Sequence, residues 1–367
     1  MTVSSLTASP RCAHGARLTI DLAALGQNWR RLADEAGSET AAVIKADAYG
    51  CGIPRAAPAL WAAGCRTFFV AHLSEAASAR AALPAEAVIY VLNGFPPGSA
   101  RDYRGLDLRP VLGSREEIAE WAAQGEGAAA AIHVDTGMNR LGLAPDEAPA
   151  LADDPVLRRF VPSLLMSHLV SAEVPGDPIT ARQAESFARL RAAFPGVPAS
   201  LANSSGIFLG ASVRYDLARP GYALYGGNPV PGSPNPMRPV VRLEAEIAQV
   251  REVGPGETAG YNARWTAPGP RRLATLSLGY ADGLPRAASN RGEAVVGGVL
   301  CPFVGNVSMD LIILDVTEVP EAALHRGAPA VLMGDALDLD TVGRNAGTIG
   351  YEILTGLGAR YERRYIE

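Results

Sequence analysis

Residues 41–72 read AAVIKADAYGCGIPRAAPALWAAGCRTFFVAH. An apolar run (Ala41–Lys45), a helical pattern (Ile53–Ala63) and a second apolar run (Arg66–Ala71) follow one another. The long interval between the runs, with its helical pattern, excludes a tight hairpin, so they predict parallel strands joined by a helical crossover. Working outward, the same alternation continues through Ala87–Leu92, Leu108–Leu112, Ala129–Asp135, Pro162–Ser167, Pro198–Ala202 and Arg214–Leu217. Helical stretches such as Ser114–Ala123 and Thr180–Phe194 lie between them. Eight strands separated by helices predict an α/β fold, a (β/α)8 barrel over residues 15–235.

GGNPVPGSPNPMRP, residues 226–239, is too rich in Gly and Pro to continue a helix or a central strand, and predicts a linker. Beyond it the pattern changes to short β-like runs, Val240–Val250, Arg272–Leu278, Glu293–Val299 and Leu311–Val316, with a last short helix near Ile349–Leu357. These predict a mostly β C-terminal domain over residues 236–367. Residues 1–14 are left as an N-terminal extension, with that second domain as the surface it would pack on.

Of the 367 residues, 48% are hydrophobic and 19% charged, enough apolar surface for a large core and too little charge for disorder. The net charge is −5, with basic residues scattered, so no basic stripe for nucleic acid or a membrane surface is indicated. No stretch approaches the roughly 18–20 apolar residues that span a bilayer. The N-terminus, MTVSSLTASPRCAHGARL, lacks the apolar core of a signal peptide. Cys12, Cys51, Cys65 and Cys301 form no CxxC pair, so neither a metal site nor a disulfide framework is expected, and a reduced cytoplasmic location fits.

The 33 basic residues are 32 arginines and one lysine, Lys45. In a chain that uses arginine for every other cation, a retained lysine marks a place where arginine does not serve. An arginine stays protonated, whereas a lysine amine can lose its proton and act as nucleophile or base. Around it, the unusual polar residues fall after the predicted strands: Lys45, His72, Asn93, Asp135 with Arg140, His168, Asn203-Ser204 and Arg219. In a barrel that end carries the chemistry. The loops after strands seven and eight, Asn203-Ser204-Ser205-Gly206 and Arg219-Pro220-Gly221-Tyr222, are small and polar. They suit a phosphate, although a serine there also serves as an ordinary helix cap. A solitary reactive lysine with a phosphate site implies pyridoxal 5′-phosphate (PLP).

Residues 42–50, AVIKADAYG, resemble the cofactor-lysine signature of the alanine racemases. So do VDTGMNRLG (134–142), RPG (219–221), AGYN (259–262), GYADG (279–283), SMD (308–310) and YEIL (351–354), in order through both domains. The resemblance implies a two-base racemase of alanine that supplies D-alanine for cell-wall peptidoglycan, and a homodimer whose active sites are completed by the partner chain. It implies that Lys45 carries PLP and serves as one acid/base, and that Tyr261 is the other. It places Arg219 at the pyridine nitrogen, with His168 linking it towards Tyr261. Arg140 would meet the cofactor's phenolic oxygen and the substrate carboxylate, with Met309 binding substrate through its backbone. Tyr49, Asn203, Ser204, Gly221, Tyr222 and Tyr351 are the further cofactor-binding positions.

Two positions depart from the family pattern. Gly50-Cys51-Gly52 stands where Gly-His-Gly is usual, outside the chemistry. Many members carry a carbamylated lysine seven residues before the arginine of DTGMNR; here that position is His133, and no second lysine exists. A neutral His133 is expected, with a bound inorganic anion such as chloride, or a nearby carboxylate, taking the carbamate's place beside Arg140. Three other functions compete. A single-domain PLP-binding barrel would lack the second domain. A barrel decarboxylase would share architecture but not the Arg219 motif and Tyr261. A serine/alanine racemase differs by one hydroxyl in the substrate, which an apolar pocket rejects poorly.

Overall fold

The computed structural model describes residues 15–367, so the N-terminal extension and Cys12 lie outside the described residues. The chain divides into two compact units. The first, Asp21–Val240 with Glu367, contains a parallel sheet of seven strands in sequential order. These are Ala42–Val43, Thr67–Val70, Val88–Val91, Leu108–Leu112, Ala129–His133, Val161–Met166 and Ala199–Ser200. Thr67–Val70 is buried at every position, as a parallel strand covered on both faces must be. Ala42 lies opposite Phe68, Phe68 opposite Ile89, and Ile132 opposite Leu165.

The eighth strand, Leu217–Ala218, closes the sheet on itself. It pairs in parallel with Glu39–Thr40, and Ala41 and Val43 donate their amides to the Ala218 and Pro220 carbonyls, both at 2.9 Å. On its other side Asp216 and Arg219 donate to Ala199 and Ala202, at 3.0 and 2.9 Å. A barrel results, and Lys45, His72, Asn93, Asp135, His168, Ser204 and Arg219 all follow the C-terminal ends of its strands.

The expected strand Arg214–Leu217 is displaced. Ala211–Arg214 is a short helix, because the Arg214 guanidinium bonds the Ile207 carbonyl at 2.7 Å and Glu35 at 2.8 Å, and the strand begins only at Leu217. The Gly/Pro-rich stretch 226–239 is irregular yet anchored. Buried Asn28 donates to the Arg238 carbonyl at 2.9 Å and accepts the Arg238 amide at 2.8 Å.

The second unit comprises Val241–Ile366 with the described residues up to Ile20. Its spine is the long strand Val241–Val253, which pairs antiparallel with Ala16–Asp21, Arg271–Leu276 and Pro329–Met333. Ala16, Leu18 and Ile20 are buried and alternate with part-exposed residues, the period of a sheet covered on one face. This first strand therefore pairs within the β unit rather than in the barrel. The predicted run Glu293–Val299 is corrected to a hairpin, Glu293–Val296 and Val299–Pro302. Gly297 and Gly298, at φ 56° and 83°, supply the two left-handed residues that a two-residue turn requires. Among the described residues no helix is long and apolar enough to cross a membrane.

Candidate functional site

Lys45 follows the strand Ala42–Val43 and opens an unusual turn. Ala46, Asp47, Ala48 and Tyr49 all hold φ between 52° and 55°, a left-handed helical turn built without glycine. Each such residue costs roughly 1–2 kcal/mol, so the turn must be imposed from outside. Glu75 supplies part of the constraint. Its carboxylate accepts the amide of Ala46 at 2.6 Å and those of Ala71 and His72 at 2.7 and 3.2 Å. Asp47 contributes by accepting the Ile53 amide at 2.8 Å. The Lys45 amine is held below its usual range by burial and by the Arg140 cation, with Glu75 opposing. A lysine so placed can give up its proton, as a nucleophile or base must.

Arg219 is buried behind this residue's barrel end, and its hydrogen-bond partners are neutral. It bonds the Ser200 hydroxyl and the Ser167 carbonyl. The Ser200 hydroxyl in turn donates to the Leu217 carbonyl at 2.5 Å, so the serine is fixed by both neighbours. Burial lowers Arg219 to about 9. Among the described residues no hydrogen bond links Arg219 to His168: the guanidinium turns to Ser200 and Ser167 instead. His168 is pushed down to about 3, by burial and then by Arg219. His133 is lowered to about 4 by burial and Arg219, which makes it the neutral residue expected.

The Asp135–Arg140 loop winds around one carboxylate. Asp135 accepts the amides of Gly137, Met138 and Asn139 at 2.8, 2.8 and 2.7 Å. Arg140 is exposed, and among the described residues it forms no ion pair. The carboxylate alternative for its counter-charge is therefore not met within the described chain.

Ser204 decides between a cap and a phosphate cradle. Asn203, not Ser204, caps the following turn, its Oδ1 accepting the Gly206 amide at 2.9 Å. Ser204 Oγ accepts the amides of Gly221 and Ala223, at 3.0 and 3.2 Å, across to the loop after strand eight. Both hydroxyl lone pairs are then engaged and the O–H remains as a donor. A Cβ on Gly221 would stand 2.3 Å from the Tyr49 hydroxyl, so only glycine lets that phenol approach. Tyr49 stacks on Tyr225, ring centroids 4.6 Å apart, and Tyr222 is buried beside Gly227. A hydroxyl donor and a phenol meeting at the Gly221 backbone fit a phosphate monoester. With a lysine whose amine is held below its usual range at the same barrel end, the residues fit PLP.

In the β unit, Tyr261 is 71% exposed, on a turn where Gly260, Asn262 and Ala263 have φ of 73°, 63° and 49°. Asn306 steadies it, donating Nδ2–H to the Tyr261 carbonyl at 3.0 Å. Met309 is half exposed, and Tyr351 lies on the helix Gly350–Thr355. Sequence reading missed Glu75, Ser200, Asn306 and Tyr225. Only Glu75 left a signal, as the third residue of a helix, where a carboxylate caps.

Family models described as "Alanine racemase, N-terminal domain" and "Alanine racemase, C-terminal domain" match residues 20–229 and 240–365. An alanine racemase of Methylobacterium nodulans is 72% identical over 359 residues, 96% of this chain and 97% of that protein. Among solved structures, the alanine racemase of Bartonella henselae with covalently bound pyridoxal phosphate superposes with a TM-score of 0.92. It is 40% identical and covers 96% of this chain and 99% of its own. The biosynthetic alanine racemase of Pseudomonas aeruginosa gives 0.89 at 35% identity, covering 96% and 99%.

Proposed function

The chain belongs to the alanine racemase family, and from that membership we infer that it interconverts L- and D-alanine with pyridoxal 5′-phosphate carried on Lys45. The observation that carries the residue assignment is the position of the chain's only lysine. It stands at the C-terminal end of the barrel strands, with its amine held below the usual range, at the same end as a serine hydroxyl and a tyrosine phenol suited to phosphate. Bound there, the cofactor draws electron density from the substrate's Cα, so that the proton on that carbon becomes removable.

The chain's own residues do the rest. Lys45 takes or returns the Cα proton on one face, and Tyr261 does so on the other, because inversion needs a base on each side. Arg219 would be the residue that donates to the cofactor's pyridine nitrogen; a guanidinium keeps its proton, so the electron withdrawal the cofactor supplies would stay moderate. Tyr49, Ser204, Gly221, Tyr222 and Tyr351 hold the phosphate, and Asn203 shapes the turn that presents Ser204. Arg140 and the Met309 backbone hold the substrate carboxylate. His168 stays uncharged among cations, which keeps it available as a hydrogen-bond acceptor. Tyr261 and Met309 serve the active site of the partner subunit in a homodimer. The enzyme works in the cytoplasm, supplying D-alanine to cell-wall synthesis.

Purified protein reconstituted with PLP, given L-alanine and L-serine separately, tests the substrate assignment. D-alanine should form at the higher initial rate. Equal rates would make the enzyme a serine/alanine racemase, and no D-product from either would overturn the assignment.

A further inference from the structure

The segment Gly305–Asp310 is fastened at several points. Tyr280 and Ala281 donate their amides to the carbonyls of Ser308 and Met309, each at 3.0 Å, and the Ser308 amide donates to Leu311 at 3.0 Å. A Cβ on Gly279 would lie 2.3 Å from the Met309 carbonyl oxygen, so the two loops meet backbone to backbone. These contacts use the Met309 carbonyl. The Met309 amide makes no hydrogen bond among the described residues, on a residue 53% exposed.

One further tie comes from the far end of the chain. Arg360 donates Nε–H and Nη2–H to the two oxygens of Asp282, at 2.7 and 2.8 Å, and Nη1–H to Asp310 at 2.8 Å. Asp282 is a fixed post. It is 6% exposed, its carboxylate also accepts the Gly279 amide at 2.9 Å, and its carbonyl accepts the Gly358 amide and the Tyr361 hydroxyl. Asp310, by contrast, has a side chain 58% exposed. The buried carboxylate is already satisfied by the fork from Arg360, and an exposed ion pair adds little to stability. The bond to Asp310 therefore adds little to the stability of the fold. Asp310 is the residue after Met309.

We propose that Arg360 is a positioning residue for substrate binding: by bridging Asp282 to Asp310 it aims the Met309 amide at the substrate's carboxylate. The proposal rests on the assignment of Met309 to substrate. A lone amide donor contributes to binding only while its direction is fixed, since a mobile loop must be ordered again at each binding event. A planar guanidinium can fix both carboxylates at once, and a lysine ammonium lacks that fork.

Asp310→Ala cuts the bridge and leaves the Asp282–Arg360 fork intact; Arg360→Lys keeps the charge and loses the fork. Three readouts separate the outcomes. The first is amide hydrogen exchange of the peptide spanning residues 307–311. The second is the binding of propionate, which is alanine without its amine, to the holoenzyme. The third is KM against kcat for alanine. Asp310→Ala should exchange faster over that peptide and bind propionate roughly tenfold more weakly. KM should rise by a similar factor while kcat changes less, the mark of lost uniform binding. Its melting temperature should stay within about 1 °C of the parent. Unchanged exchange with unchanged propionate affinity would overturn the proposal and leave Met309 untouched. Faster exchange with unchanged affinity and KM would show that the bridge holds the segment but that Met309 does not bind the carboxylate. If Arg360→Lys fails to fold, Asp310→Ala decides alone.

Discussion

His133 illustrates how much a single buried position constrains this site. Its folded-state pKa lies near 4, against 6.5 for an ordinary histidine, because burial and Arg219 both oppose its charge. The unfolded chain therefore binds a proton between about pH 6.5 and 4 that the folded chain refuses, so stability falls as pH drops through that window. The full shift corresponds to on the order of 3 kcal/mol for this residue alone. His133→Gln should flatten the pH dependence of the melting temperature between pH 7 and 4; an unchanged slope would mean that the ring is not held neutral. The same position bears on Arg140. With no second lysine there is no lysine carbamate, and Arg140 is exposed with no ion pair among the described residues; a bound inorganic anion is the counter-charge we propose for it. Activity should respond to replacing chloride by a bulky anion and be indifferent to bicarbonate depletion. Dependence on bicarbonate would contradict this.

At the scale of the element, the left-handed turn Ala46–Tyr49 is the most consequential piece of backbone. Glu75→Ala removes the acceptor of three backbone amides at once, including that of the residue after Lys45. Charge-assisted bonds of this kind are worth about 1.5–3 kcal/mol each, less what water restores, so the variant should lose about 2–4 kcal/mol and hold PLP more weakly. A variant as stable as the parent, with normal cofactor retention, would show that the turn is held by other means. Nothing in Lys45-Ala46-Asp47-Ala48-Tyr49 announces the turn, because these residues locally favour right-handed backbone and tertiary contacts impose the other hand. The barrel strands were legible for the opposite reason. Most are short apolar runs largely buried on both faces, as Thr67–Val70 is throughout, and such runs report burial directly. Ala16–Asp21 also has a readable alternation, but its partner begins at Val241, and pairing at that separation leaves no local trace. The hairpin at Gly297-Gly298 was read as one strand because both arms share one composition. Among site residues, Lys45 stood out by being alone of its kind. Ser200 and Arg360 stay hidden because they act on distant backbone or on carboxylates that only folding brings within reach, and Glu75 shows only as a helix-capping carboxylate.

For the whole molecule, the assignment of Tyr261 and Met309 to the active site of the partner subunit makes activity a property of two chains. Lys45→Ala and Tyr261→Phe homodimers should each be nearly inactive. Dissociated, mixed and re-associated, they should regain part of the activity, because one site of each mixed dimer then has both bases. Failure to recover any activity, with mixed dimers demonstrated, would place both bases in one chain. The central claim is more basic: a single lysine carries the cofactor. The most direct measurement treats the PLP-loaded protein, which should absorb near 400 nm (an approximate position expected for lysine-linked cofactor), with borohydride, and then maps its peptides by mass. Reduced cofactor should appear on the peptide containing Lys45, stoichiometrically and nowhere else. Modification at any other residue, or a protein that retains no cofactor after reduction, would contradict the account.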